Sequence, residues 1–542
     1  VRTASLEVGA GVVAERGTLE EASAQTQHQP PELMLPPPSP LSVAESLAAM
    51  RVAPGFRVDC IASEPVIEAP VWMSFDEDGR LWVVEMRSYM PDIEGTGEKL
   101  PSNRISVLED RNGDGEFETS RVFMDGLMLP RGVMPCYGGA LVLEPPSLYF
   151  CKDSDGDGRA DGKDDVRIKL LDGFGGIENP EHAGNGPIYG IDNWCHFSQH
   201  NTEVRFDGRG IEKRGTSGHG QWGITQDDRG RLYYTPNSNP LLMDVFPKHY
   251  GARNSNMSSV TGMGENIGQE AGTTWPIHPT PGVNRGYQDK VLREDKTLAS
   301  ITAACGPSIY RAGLLGEDFR GDVFICEPAG TLVKRIRMSE KNGVPRGENA
   351  YNGSEFLAST DERFRPVNTC VGPDGALYVC DMYRGVIQHK TYLTEYLKAQ
   401  IRARNLETPL NMGRIYRIAP ADFKPRIMPK LSVLHEEMLV ELLSHKDGWY
   451  RDTAQRLLVE RGAKGVERRV REMLASGEDW RVRLHALWTL DGLGLTGPDD
   501  VAAAIADDAP ALRAAAVELR AYSVNALPNE ELDRLVSVER DV

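Results

Sequence analysis

At 542 residues the chain is longer than one domain usually is. A formal charge of −18 with no basic patch argues against nucleic acid as a partner. No apolar run is long enough to span a bilayer, and the charge is spread along the chain as on a soluble acidic surface.

Residues 1–40 are poor in aromatics and end in PPELMLPPPSP, which reads as a flexible leader with a stiff polyproline piece. The chain opens at Val1 without a methionine or a signal peptide, so a processed product is expected.

Residues 41–420 carry a β pattern with a repeated unit: a short apolar strand, a turn with Asp and Gly, then Leu-Trp/Tyr-Val. It recurs at 73–86, 138–151, 186–198, 222–237 and 371–382, with a degenerate copy at 310–328. Each unit reads as the inner hairpin of a four-stranded blade, and six of them predict a mainly β fold, a six-bladed β-propeller. Loop 238–300 would cover one face, and Trp72, Trp82 and Trp222 would be core.

Within this region KDSDGDGRADGKDD places Asp153, Asp155, Asp157, Gly158, Arg159, Asp161 and Asp164 at positions 1, 3, 5, 6, 7, 9 and 12 of a calcium loop. The flanks SLYFC and VRIKLL alternate like strands, so the loop belongs on a β-hairpin rather than between helices. A second acidic turn, DRNGDGEFE, offers Asp110, Asn112, Asp114, Glu116 and Glu118, but Arg121 stands at its twelfth position. Ca2+ is the cation such oxygen-rich turns select. A solvated acidic turn without a cation is the alternative. Calcium loops suit a compartment outside the cytoplasm, periplasmic or extracellular.

Residues 426–542 change to helical periodicity after Pro420 and Pro425. WYRDTAQRLLVER, WRVRLHALWTLDG and ALRAAAVELRAY align on Arg451/Ala454, Arg483/Ala486 and Arg513/Ala516, at offsets of 32 and 30 residues. Small Ala where helices cross predicts stacked pairs, a HEAT-like α-helical solenoid. VSVERDV offers no cap for it, so the native chain is expected to continue past Val542.

The eight cysteines include no CxxC, so a zinc ribbon is unsupported, and no CxxCH, so no covalent c-type haem is expected on this chain. Cys370 and Cys380 lie on consecutive strand-like segments and either bridge a hairpin or stay as buried thiols.

Four constellations converge on the expected channel mouth: Glu85 to Tyr89 with Arg87; PEHAGNG with His182 and Asn185; GHGQWG with His219; and Arg363-Phe-Arg365-Pro-Val with Asp381-Met-Tyr-Arg384. A cationic, histidine-bearing channel suits an anionic or polyhydroxylated ligand. A histidine is the natural base for a hydroxyl proton near neutral pH. Each has a structural alternative: blade-closing histidines, inter-blade salt bridges for the arginines, and an Asp381–Arg384 pair.

These residues also carry a resemblance. LSVAESLAAMRVAPGFRVDCIASEP, FDEDGRLWVVEMRSY, TAACGPSIYRAGLLG, EFLASTDERFRPVNTCVGPDGALYVCDMYRGVIQH and GRIYRI resemble the "membrane-bound dehydrogenase" family of planctomycetes and verrucomicrobia, over roughly residues 41–540. Members of that family join a propeller to HEAT repeats and a cytochrome c domain; its haem motif is absent here. The propeller is more distantly similar to quinoprotein sugar and sorbosone dehydrogenases. That likeness implies His182 as the base and Arg363 and Arg365 as contacts to pyrroloquinoline quinone, whereas His219 stands where those enzymes have an arginine.

The resemblance implies an exported oxidoreductase that oxidises a sugar or a sugar-derived alcohol or aldehyde, and passes electrons from a quinone to a cytochrome c partner. Two other readings stay open: a non-redox glycan- or protein-binding module, and a carbohydrate lyase or hydrolase using the same channel.

Overall fold

The computed structural model describes residues 35, 37–252, 261–341 and 343–523. Most of the expected leader and the end of the chain past residue 523 lie outside the described residues.

The repeated turn is built around its aspartate. Asp76 Oδ1 accepts the backbone N–H groups of Asp78 and Arg80 at 2.9 and 3.0 Å, and Oδ2 accepts Trp82 Nε1 at 2.8 Å. Asp227 does the same for Arg229 and Arg231, with the Tyr233 hydroxyl in place of the indole. Gly79 and Gly230 take the positive φ that closes each turn, at 77° and 81°. The aromatic two residues after the turn thus satisfies a buried carboxylate, which is why Leu-Trp/Tyr follows Asp/Gly in the sequence.

Six antiparallel sheets result. Their innermost strands, Pro70–Phe75, Gly132–Cys136, Asn185–Tyr189, Ile224–Gln226, Cys305–Ile309 and Pro366–Val371, each pack on the next, and the last packs on the first. This closed ring is a six-bladed propeller. Blade 6 seals it: Pro366–Val371, Leu377–Asp381 and Arg414–Pro420 are joined by the early strand Phe56–Ser63, with Val58 opposite Ile418. Blade 5 also borrows an early strand, Met50–Val52, paired with Leu357–Ser359.

Five of the six expected units fall on the first and second strands of a blade or begin just past the first. The unit at 138–151 instead forms the second and third strands of blade 2, Gly139–Glu144 and Ser147–Lys152. Its innermost strand, Gly132–Cys136, is joined by the tight turn Tyr137-Gly138, both at positive φ, so no Asp/Gly signal marks it.

The C-terminal part forms helices Glu436–Leu442, Gly448–Glu460, Glu467–Ser476, Trp480–Gly492, Pro498–Ile505 and Pro510–Ser523, which pack as successive pairs whose second helices touch one another. The repeated arginines share one job. Arg451, Arg483 and Arg513 each donate through Nη1 to carbonyls of the turn before their own helix: His445 and Lys446, Gly477 and Glu478, Asp507 and Asp508. Ala454, Ala486 and Ala516 are fully buried at the crossings. Among the described residues no helix is long and apolar enough to cross a membrane.

The helices dock on the face that carries the turns between first and second strands. Gln455 Nε2 donates to the Ile191 carbonyl at 2.7 Å, Arg456 meets Glu77 at 2.9 Å, and Ile191 enters the helical core. Asp228 of the blade 4 turn binds Arg311, Arg451 and Arg481 at 2.6, 2.5 and 3.0 Å.

Candidate functional site

In an antiparallel hairpin the start of the first strand and the end of the second lie at one end. That end, opposite the helices, holds a cavity of about 480 Å³. Segments 282–291 and 385–401 roof it, tied together by Asn284, whose Nδ2 donates to the Tyr392 carbonyl at 2.8 Å and whose Oδ1 accepts the Thr394 N–H at 3.0 Å.

His182 stands exposed on this cavity, at the end of the short helical turn Pro180–His182 that leads into blade 3. The turn is gripped by neighbours: Arg131 Nη1 donates to the Pro180 carbonyl at 2.7 Å, and Gln221 Nε2 to the Glu181 carbonyl at 3.0 Å. The His182 ring lies 5.4 Å from the Tyr392 ring, and its Nδ1 is 3.2 Å from the Gln199 side-chain amide. As placed, the Gln199 amide nitrogen donates to Nδ1; turning that amide by 180° would make Nδ1–H the donor and leave Nε2 as the free base. Desolvation lowers the imidazole pKa, so the neutral form prevails at neutral pH.

Glu181, on the same turn, also faces the cavity and carried no signal beyond its position beside His182. Gln388 Nε2 donates to both its oxygens at 2.7 and 3.0 Å, and the His389 backbone N–H at 2.5 Å. Burial pushes its carboxyl up to about 6 against these donors.

Arg365 lines the cavity as expected, but its guanidinium is spent on carbonyls: Nη1 to Pro328 at 2.6 Å, Nε to Arg384 at 3.2 Å and Nη2 to Gly385 at 3.4 Å. Burial lowers its pKa to about 10. Arg363 does not join it. The segment before Pro366 is a turn, with the Phe364 N–H donating to the Asp361 carbonyl, so alternation does not apply. Arg363 Nη2 instead donates to the Thr408 carbonyl at 2.7 Å.

The other expected site residues hold the blades together. His219 is buried with Nε2 3.2 Å from Asp244, and its carbonyl accepts Ser198 Oγ at 2.7 Å, the blade-closing role. Asn185 clamps blades 3 and 4 through the Gln221 carbonyl at 2.6 Å and the Gly223 N–H at 2.9 Å. Arg87 pairs with Glu68, its Nε 2.6 Å from Oε2. Asp381 and Arg384 do not pair. Asp381 Oδ1 accepts the Arg365 and Tyr383 N–H groups at 2.8 Å each, and burial pushes its carboxyl up to about 8. Arg384 donates to the Arg87 and Tyr89 carbonyls. Trp222, expected in the core, lines the cavity, while Trp72 and Trp82 are buried.

Both acidic turns join the third and fourth strands of their blades. In one, Asp153, Asp155 and Asp165 bring carboxylate oxygens within 4.8 Å of one another; in the other, Asp110, Asp114 and Glu118 do so. The last acid of the first set is Asp165, not Asp164. Asp157 Oδ1 accepts the Arg159 N–H, and Asp161 pairs with the Arg159 guanidinium. In the second turn Asp114 accepts the Asn112 amide and the Glu116 N–H. Each loop latches blades: Ala160 N–H donates to the Phe123 carbonyl of blade 1 at 2.7 Å, and Phe117 N–H to the Ile61 carbonyl of blade 6 at 2.8 Å.

The model of a domain of unknown function, DUF7133, matches residues 42–422, which span the whole propeller. The chain belongs to that family. No curated protein matches it. Solved structures similar to this DUF7133 propeller include the pyranose dehydrogenase PQQ domain from Coprinopsis cinerea, at 14% identity and TM-score 0.37, covering 68% of this chain and 97% of that one. A calcium structure of a family AA12 carbohydrate-active enzyme from Trichoderma reesei overlaps at 11% identity and TM-score 0.38, covering 69% and 97%. A luciferin-regenerating enzyme overlaps at 11% identity and TM-score 0.39, covering 70% and 100%.

Proposed function

We propose that the chain is a propeller enzyme that binds an uncharged, hydroxylated small molecule with an apolar face, such as a sugar lactone or glycoside, and that His182 is its general base. The observation that carries this reading is a solvent-accessible histidine, its pKa lowered by partial burial, on a 480 Å³ cavity whose remaining lining is mostly amides and apolar side chains. Met86, Trp222, Ile301 and Val367 supply an apolar wall, and Gln221, Asn237, Asn284 and Gln388 supply hydrogen-bonding groups. His182 takes a proton from a substrate hydroxyl or from water. Glu181 holds the Gln388 side chain and the His389 N–H of the roof in register with it. Proton transfer of this kind fits a lyase or a hydrolase.

The oxidoreductase expectation needs a hydride acceptor. Pyrroloquinoline quinone is a polycarboxylate, and the lining does not fit it. Its cations are Arg365, whose donors are engaged, and Arg285 on the exposed rim, while Glu181 adds a carboxylate. We therefore route no step through a quinone or a cytochrome c partner. The acidic turns do fit Ca2+: Asp153, Asp155 and Asp165, and Asp110, Asp114 and Glu118, would hold it. Its role there would be to neutralise carboxylates at two blade latches. An exported protein, with the helical pairs as a HEAT-type tail, is consistent with this reading.

Calorimetry with neutral sugars, aryl glycosides and sugar lactones, set against sugar acids and the quinone, tests it. The neutral set is expected to bind. His182→Ala should lower turnover of a bound substrate about 10²–10⁴-fold while leaving its affinity within a few fold. Binding confined to polyanions, or full turnover in His182→Ala, would overturn the reading.

A further inference from the structure

All eight cysteines are free thiols, and one pair is set apart by register. Cys305 on the innermost strand of blade 5 is directly opposite Cys326 on the second strand. The pair suggested by sequence is out of step: Cys370 faces Tyr378 and Cys380 faces Asn368. Directly opposed residues of an antiparallel pair project to the same face with Cβ atoms about 4.5–5.5 Å apart. A disulfide spans Cβ separations of about 3.5–4.5 Å and Cα separations of about 4.4–6.8 Å. Closing one here takes a small approach of two strands that are already paired. Cys305 Sγ lies 3.9 Å from the Cys326 carbonyl.

Access is unequal. Cys305 lines the cavity, whereas Cys326 is fully buried in the hydrophobic core behind it. We propose that Cys305 and Cys326 are a thiol pair of the cavity wall that closes to a cross-strand disulfide by exchange with a small-molecule disulfide entering the cavity. Cys305 loses its proton and its thiolate attacks the incoming disulfide, forming a mixed disulfide and releasing one thiolate. The Cys326 thiolate then attacks Cys305 Sγ, closing the protein disulfide and releasing the second. The small molecule is reduced by two electrons and the protein pair oxidised by two, with both protons passing to the released thiolates. Its place on the cavity makes Cys305 the first nucleophile, and the fully buried Cys326, whose thiol burial pushes well above its ordinary value, the resolving one.

The bond would pin a part of the wall that already carries the site. Glu327, next to Cys326, accepts the N–H groups of Thr302 and Ala303 at 2.9 Å each, and the Pro328 carbonyl anchors Arg365. The inference does not rest on the catalytic role of His182, and its test needs no substrate.

The test incubates the native full-length chain with oxidised glutathione, blocks free thiols under denaturing conditions and maps the tryptic peptides. Arg311 and Arg320 put the two cysteines on separate peptides. The expected product is a Cys305–Cys326 linked pair carrying no glutathione, reversed by dithiothreitol, with a higher melting temperature than the reduced chain. Cys326→Ser should retain one glutathione on Cys305, and Cys305→Ser should retain none at Cys326. If wild-type Cys305 stays free, keeps glutathione, or links to another cysteine, the proposal is overturned.

Discussion

The availability of His182 comes from what its neighbours do not offer. Among the described residues no carboxylate pairs with it, and the cause of its pKa shift is desolvation alone. Glu181 is its immediate neighbour, yet that carboxylate is taken up by Gln388 and His389. His182 should therefore titrate below the ordinary histidine value of 6.5, which NMR of the imidazole resonances can read without a substrate. A value at or above 6.5 would remove the neutral base. Base-dependent turnover should be flat from alkaline pH through neutrality and fall only below the ordinary histidine value of 6.5, as His182 gains its proton. Glu181→Gln should leave that acid limb in place, because desolvation and not the Glu181 charge sets the His182 shift.

At the scale of the element, the acidic hairpins show why a motif can be legible while its ligand set is not. The spacing of Asp153, Asp155 and Asp157 placed the turn and the flanking strands correctly. Which carboxylate closes the set depends on the path of the loop past Gly162, where Asp165 Oδ2 accepts the Gly162 N–H at 2.8 Å. That path follows from the Ala160 latch on blade 1, a long-range contact. Calcium removal by a chelator should lower the melting temperature, and Asp153→Ala should do so without a chelator. Asp164→Ala should be close to neutral, since it lies outside the convergent set. Equal effects of Asp164→Ala and Asp153→Ala would contradict the assignment.

At the scale of the molecule, the helical pairs are a platform under the propeller rather than a wall of the cavity. The joint centres on Asp228, which three arginines surround. Burial opposes its charge, but Arg311 and Arg451, then Arg481, hold the carboxyl well below the usual range. A lowered folded pKa means the stabilisation is whole above the ordinary value of 3.8 and is lost as pH falls below it. Asp228→Asn leaves the buried Arg311 and Arg451 short of a partner and should cost about 3–5 kcal/mol in denaturant unfolding. A chain ending at Pro420 should keep the β signature in circular dichroism but melt at lower temperature, because Ile191, Arg311 and Glu77 lose what covers them. Unchanged melting would show that the platform adds nothing to the propeller.

The local grammar was readable because it is local. An Asp that binds N–H groups two and four residues ahead and an aromatic six ahead, as Asp76 does, leaves a periodic trace, and so does an Arg that caps the turn before its own helix. Blade number, the hairpin nature of the acidic turns and the switch to helices follow from such short-range bonds. What needed the tertiary structure is every relation between distant segments. The chain order alone does not say that Phe56–Ser63 closes blade 6, nor that Arg363 and Arg365 diverge at a turn. It does not oppose Cys305 to Cys326, and it does not bring Glu181 and Gln388 together at one cavity. Those choices are set by ring closure and by which buried polar groups find partners across it, and neither leaves a period in the sequence.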